Sequence, residues 1–129
     1  MTGLHTALQT FWSQFAYGTA IPAYPSDNVP DTAVYPYITY EVTQGAYFGA
    51  TVLTAFVWVK KTGAWAAKRA AILDAIAEAI PEEGAKINFA GGHARLRRND
   101  AGFMSYYDDP ADASIAGGRV SYEITYYVL

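Results

Sequence analysis

The sequence predicts an α+β fold: a mainly antiparallel sheet of about four strands, two helices packed on one face, and long interface loops. Three observations carry this expectation. In Arg119–Leu129, the residues Val120, Tyr122, Ile124, Tyr126 and Val128 alternate with Ser121, Glu123, Thr125 and Tyr127, the two-residue period of a strand with one buried face. Tyr35–Val42 (YPYITYEV) and Leu53–Lys60 (LTAFVWVK) share its β-branched and aromatic character. Ala64–Ile80 places Trp65, Arg69, Ile72, Leu73, Ile76, Ala79 and Ile80 on one stripe of period 3.6.

Each element follows in chain order. Leu4, Ala7, Leu8, Phe11, Trp12 and Phe15 recur at helical steps, so Leu4–Ala16 is a helix that Gly18 stops. Tyr17–Val34 holds Pro22, Pro25 and Pro30 among Ser26, Asp27, Asn28 and Asp31, residues that set turns and forbid a sheet interior. It is expected to be a long linker, and long ordered loops tend to be functional. Tyr35–Val42 is the first strand, Thr43–Thr51 a hairpin connection, and Val52–Lys61 the second strand. On that strand Leu53, Ala55, Val57 and Val59 form one face and Thr54, Phe56, Trp58 and Lys60 the other, so both faces are partly apolar. Thr62 is placed to cap the helix Ala64–Ile80, which Pro81 and Gly84 end. Lys86–Ala90 and Ala94–Arg98 flank Gly91-Gly92 as either one bulged strand or a small hairpin. Asn99–Gly118 is expected to be a second long loop before the closing strand.

With 129 residues the chain fits one domain, 1–129. It is 52% hydrophobic and only 16% charged, so a core is easily supplied while the surface must expose Ala, Tyr and Gly. Eleven tyrosines offer rigid apolar bodies with polar tips, which suit surfaces that become interfaces. The net charge of −3 lacks the global basic footprint of a nucleic-acid binder. With no cysteine, disulfides, thiolate metal sites and Cys nucleophiles are excluded. The start, MTGLHTALQTFW, lacks the pattern of a signal peptide, and no apolar run has the length of a membrane span, so synthesis in the cytoplasm is expected.

Candidate chemistry is sparse. His5 and His93 have no ligand at metal spacing. Asp108, Asp109 and Asp112 in DDPADAS lack the closing Glu of a calcium loop and carry Pro110 in its middle. Gly117-Gly118-Arg119 matches no nucleotide-binding spacing, and the serines lack a nucleophile-elbow context. Glu41 and Glu123 could face each other mid-strand, but no pocket motif surrounds them. No catalytic residue, cofactor or metal is expected. Arg95, Arg97 and Arg98 form the one basic cluster; Arg95 and Arg97 share a strand face with His93. They suit either an ion pair between subunits, a mildly basic channel lining, or a plain solvated face.

The order of these elements resembles the tail-terminator, or tail-completion, proteins of long-tailed bacteriophages and prophages. The pieces that carry the resemblance are Tyr35–Tyr40 (YPYITY), the helix Ala64–Ile80 with Trp65 near its start, and the closing strand Arg119–Val128. The resemblance implies a structural virion protein without catalytic residues. It implies a homo-oligomeric ring, a hexamer, that caps the tail tube at its head-proximal end and stops polymerisation. Partners would be the major tail tube protein and a head–tail connector, with DNA passing through the ring non-specifically. From the residues themselves, the expected subunit or tube contacts are Phe103, Met104, Tyr106 and Tyr107 of the second loop, Tyr24 of the first, and Arg95 and Arg97. Two alternatives stand beside it: another connector such as a head-completion, stopper or minor capsid protein, or a dimeric module that binds a small ligand.

Overall fold

The structure is a computed structural model and describes residues 2–44, 51–99 and 102–128. Helix α1 spans Thr2–Trp12. The strands β1 (Ala16–Tyr17) and β2 (Thr19–Ala20) make a minimal hairpin at Gly18, whose φ of 75° a side chain would resist. Then come β3 (Ala23–Pro25), β4 (Tyr37–Gln44), β5 (Thr51–Lys60) and α2 (Trp65–Ala79). The chain continues through β6 (Ala85–Phe89), β7 (Gly92–Arg98), β8 (Met104–Tyr106) and β9 (Ile115–Val128).

The expected four-stranded antiparallel sheet of an α+β fold is corrected. Among the described residues the protein is mainly β, with a seven-stranded, curled, mixed sheet forming a half-barrel with two helices. The strand order is β3-β4-β5-β9-β7-β6, with β8 also paired to β9, and β3 runs parallel to β4. Three segments account for the difference. The Pro-rich linker contributes β3, where Pro25 is tolerable because β3 is an edge. The Gly91-Gly92 region is a hairpin, with Lys86 opposite Arg95 and Asn88 opposite His93. The second loop is largely strand: β8 pairs β9 from Met104 opposite Val120 to Tyr106 opposite Gly118. β9 therefore begins at Ile115, four residues before the expected start. Residues 45–50 of the expected connection after β4 lie outside the described residues.

β9 lies in the middle of the sheet, with β5 along one edge and β7 followed by β8 along the other. Ser121 marks the junction: its carbonyl accepts from the Asn99 amide at 3.2 Å and its amide donates to the Phe103 carbonyl at 2.8 Å. The strand period separates two faces. On the inner face Ile38, Leu53, Ala55, Val57, Val59, Ala94, Leu96, Val120 and Tyr122 are buried with the helical stripes. α2 supplies Ile72, Leu73 and Ile76, with Ile80 just past its end; α1 supplies Leu4, Leu8 and Trp12, and the Trp12 ring stacks on Tyr40 at 6.4 Å. α1 touches both β3 and β6, the two ends of the sheet, so the curl closes around it. Among the described residues no helix is long and apolar enough to cross a membrane.

Two neighbouring glycines show how closely the faces are filled. A Cβ on Gly118 would lie 2.6 Å from Leu73 of α2, on the inner face. One on Gly117 would lie 2.3 Å from the Tyr107 carbonyl and 3.0 Å from the Trp58 ring, on the outer face. Glycine in mid-strand here admits a helix on one side and an indole on the other.

The ends of α2 differ from the expected capping. Thr62 is not its cap; Ala64 holds that position, with no side-chain hydrogen bond. The C-terminus is served by Arg98, which donates from Nη2 to the Ala77 carbonyl at 3.2 Å and from Nε to the Ile80 carbonyl at 3.4 Å. Its guanidinium also lies 4.3 Å from the Phe103 ring centre. A cation on otherwise unsatisfied carbonyls at the negative end of a helix is favourable. Arg98→Ala should therefore cost about 1–2 kcal/mol. Thermal melting of this variant beside Arg95→Ala, which should be near neutral, checks the assignment.

Candidate interaction surface

The outer face of the sheet carries a belt of aromatic rings that neither helix covers. It starts at Tyr24 on β3, whose ring centre is 5.9 Å from that of Tyr37 on β4. Tyr35 joins Tyr37 at 5.0 Å. Tyr37 stands opposite Trp58 in the β4–β5 register. Trp58 stacks on Phe56 at 5.4 Å, and Tyr107 packs on both at 6.0 and 5.3 Å. The Trp58 indole donates to Thr39 Oγ1 at 3.1 Å, which fixes its plane. The rings half-bury one another, with Tyr107 still 42% exposed. Burial first, then a hydrogen bond with Tyr35, pushes the Tyr37 hydroxyl up to about 12, so it stays neutral at any physiological pH. The belt is thus an uncharged, rigid apolar surface with hydroxyl tips, the chemistry of interface cores.

The expected contact residues divide between the two faces. Tyr24 and Tyr107 belong to the belt. Arg95 and Arg97 are exposed on the same outer face, farther along the sheet on β7. Met104 and Tyr106 point to the inner side beside α2, where a groove of about 250 Å³ is lined by Ala70, Leu73, Asp74, Met104, Ser105 and Tyr106. Phe103 packs on Tyr122 with ring centres 6.0 Å apart and is a half-buried part of the core margin. Sequence reasoning missed Tyr35, Tyr37, Phe56 and Trp58. The signal was present in the second strand, whose two faces are both apolar although only one can meet the helices.

The tip of the β8–β9 hairpin is fastened to α2. Asp108 accepts from Arg69 Nη1 at 3.3 Å and pairs with Lys61 Nζ at 3.5 Å. Arg69, only 9% exposed, also donates to the Gly117 carbonyl at 3.4 Å and lies under Tyr106 at 3.7 Å. The other two acids shape the turn itself. Asp109 Oδ1 accepts from the Ala111 amide at 2.9 Å, and Asp112 Oδ1 from the Ser114 hydroxyl and amide at 2.6 and 2.9 Å. The Ser114 bonds hold the Asp112 carboxyl below its ordinary value. DDPADAS is a turn and a clamp. Among the described residues no group of three His, Asp or Glu could hold a metal ion.

Comparison with protein-family models, curated proteins and solved structures gives no match.

The remaining candidates have local roles. His93 stacks on Tyr127 at 4.8 Å, and His5 is exposed on α1. Glu41 and Glu123 do not form a carboxylate pair, because β5 runs between their strands. Glu41 instead accepts from the Ser26 hydroxyl at 3.2 Å. These two residues line an open cleft of about 280 Å³ with His5, Leu8, Asp27 and Tyr40.

Proposed function

We propose that this chain is the subunit of a ring that caps the tail tube of a long-tailed phage, stops its growth and joins it to the head connector. The observation that carries the reading is the aromatic belt of Tyr24, Tyr35, Tyr37, Phe56, Trp58 and Tyr107 on a sheet face that the protein's own helices leave open. Two aromatic clusters joined on one face by the Tyr37–Trp58 register suit a partner more than solvent. The order of elements resembling tail-terminator proteins supports the same reading. A ring needs a heterologous contact between two different surfaces, closed by rotation. The inner-side groove beside α2 and the outer belt are two such unlike surfaces. In this reading the protein acts in the virion, at the head-proximal end of the tail, as a structural component and not an enzyme. Its partners are copies of itself in a hexamer, the tail tube protein and the connector, with DNA passing through non-specifically.

A tube of stacked rings has no intrinsic stop unless a ring with a different surface closes it. Host cells producing the phage without this protein should therefore accumulate tubes of uncontrolled length, unattached to filled heads, in electron micrographs. Tubes of normal length beside leaking heads would favour the head-completion reading instead.

A further inference from the structure

Two charged surfaces on this domain are arranged at a cost to the isolated chain. On the outer face Lys86 and Arg95 stand directly opposite each other across β6 and β7, and Arg97 follows on the same face. All three are exposed. Like charges directly opposed in a sheet are destabilising. None of the three makes an ion pair among the described residues, where both ion pairs go to Asp108. Glu82 shares a cleft with Arg97 and Arg98 without closing to an ion pair.

The second surface is on α2. Asp74 and Glu78 are exposed one turn apart, a like-charge pair that weakens a helix. Glu78 lies in the last turn, where the helix end disfavours a carboxylate; that turn holds no basic residue of its own, and Arg98 is engaged on the Ala77 and Ile80 carbonyls. At about 100° per residue the two acids lie opposite the buried stripe of Arg69, Ile72, Leu73 and Ile76. Since α2 packs on the inner face, Glu78 points away from the sheet on that side and exposed Asp74 lies at the rim of the groove beside β8. Lys86 and Arg95 point away on the other.

We propose that these surfaces are the two halves of one contact between copies of this chain. Lys86 and Arg95 of one subunit receive Asp74 and Glu78 of the next. The spacings agree: opposed residues across an antiparallel pair have Cβ atoms about 5 Å apart, and residues one helical turn apart rise about 6 Å. Each surface supplies the opposite charge that the other lacks, and their placement on opposite sides makes the contact head-to-tail, as ring closure requires. A nucleic-acid backbone fits the strand face less well. The chain is net acidic, and Glu123 stands opposite Arg97 within the strip. This assignment rests on the ring reading and adds a charged contact to it, with Asp74 at the groove beside α2 and Lys86 and Arg95 on the outer face that carries the belt.

Charge exchange tests it. One variant carries Lys86→Glu with Arg95→Glu, a second carries Asp74→Lys with Glu78→Lys, and a third carries all four changes. Sedimentation equilibrium over a range of concentration and salt measures self-association, with circular dichroism on the same samples as the check on folding. Wild type should associate less as salt rises. Each double variant alone should associate about ten-fold more weakly or worse. Their equimolar mixture, and the four-change variant alone, should recover wild-type association. Double variants that assemble as wild type does, or a mixture that fails to recover, would overturn this contact and leave the ring reading standing. Wild type that remains monomeric throughout would overturn both. Unchanged assembly with loss of single-stranded DNA binding in the strand variant would give the basic face to nucleic acid.

Discussion

Replacing Ile76 with Asp is expected to leave no cooperatively folded protein. Ile76 is fully buried at the centre of the α2 stripe, among the residues that pack on β5 and β9. A carboxylate there loses its water and finds no partner, and such a change costs about 4 kcal/mol or more, a large part of a small domain's stability. Ile76→Val should cost only about 1 kcal/mol and keep a sharp transition. Thermal unfolding followed by circular dichroism separates the two. A soluble Ile76→Asp protein with a cooperative melt would show that α2 does not use this face.

Replacing Tyr24 and Tyr107 together with Ala is expected to spare the fold and weaken assembly. Both rings lie on the outer belt, outside the buried core. Truncating an aromatic anchor within an interface often costs about 2 kcal/mol or more, roughly thirty-fold in association. The pair Phe103 and Tyr106, chosen from sequence, should behave differently. Phe103 supports Tyr122, and Tyr106 covers Arg69, so their removal should lower the melting temperature first. Sizing and melting of both double variants side by side distinguish a belt that docks from one that merely shields the sheet. Wild-type assembly by Tyr24→Ala/Tyr107→Ala would take the belt out of the interface.

The parts legible in sequence were those with a strong period: α2, β5 and the second half of β9. Alternation is visible there because Val120, Tyr122, Ile124 and Tyr126 all pack inward. The period fails at Gly117-Gly118, where the neighbours come from elsewhere in the chain. Leu73 and Trp58 fill the space that side chains would occupy, and a strand built that way carries no pattern of its own. Pro25 hid β3 for a related reason. Proline is a sound argument against a central strand, but β3 is an edge that pairs on one side only. The belt was half legible. Phe56 and Trp58 stood out as an apolar second face, yet their joining to Tyr24, Tyr37 and Tyr107 depends on strand order, which local patterns do not encode.

The position of β9 bears on how the protein is made. Its two principal neighbours, β5 and β7, both leave the ribosome before it does. Until residues 115–128 emerge, each of those strands presents an unpaired edge, and half the sheet cannot join the other half. Nascent chains stalled before that point would be sticky and open to proteolysis, with no finished face to offer a partner. Insertion of β9 thus completes both halves of the sheet at once: without it neither β5 nor β7 has its second neighbour.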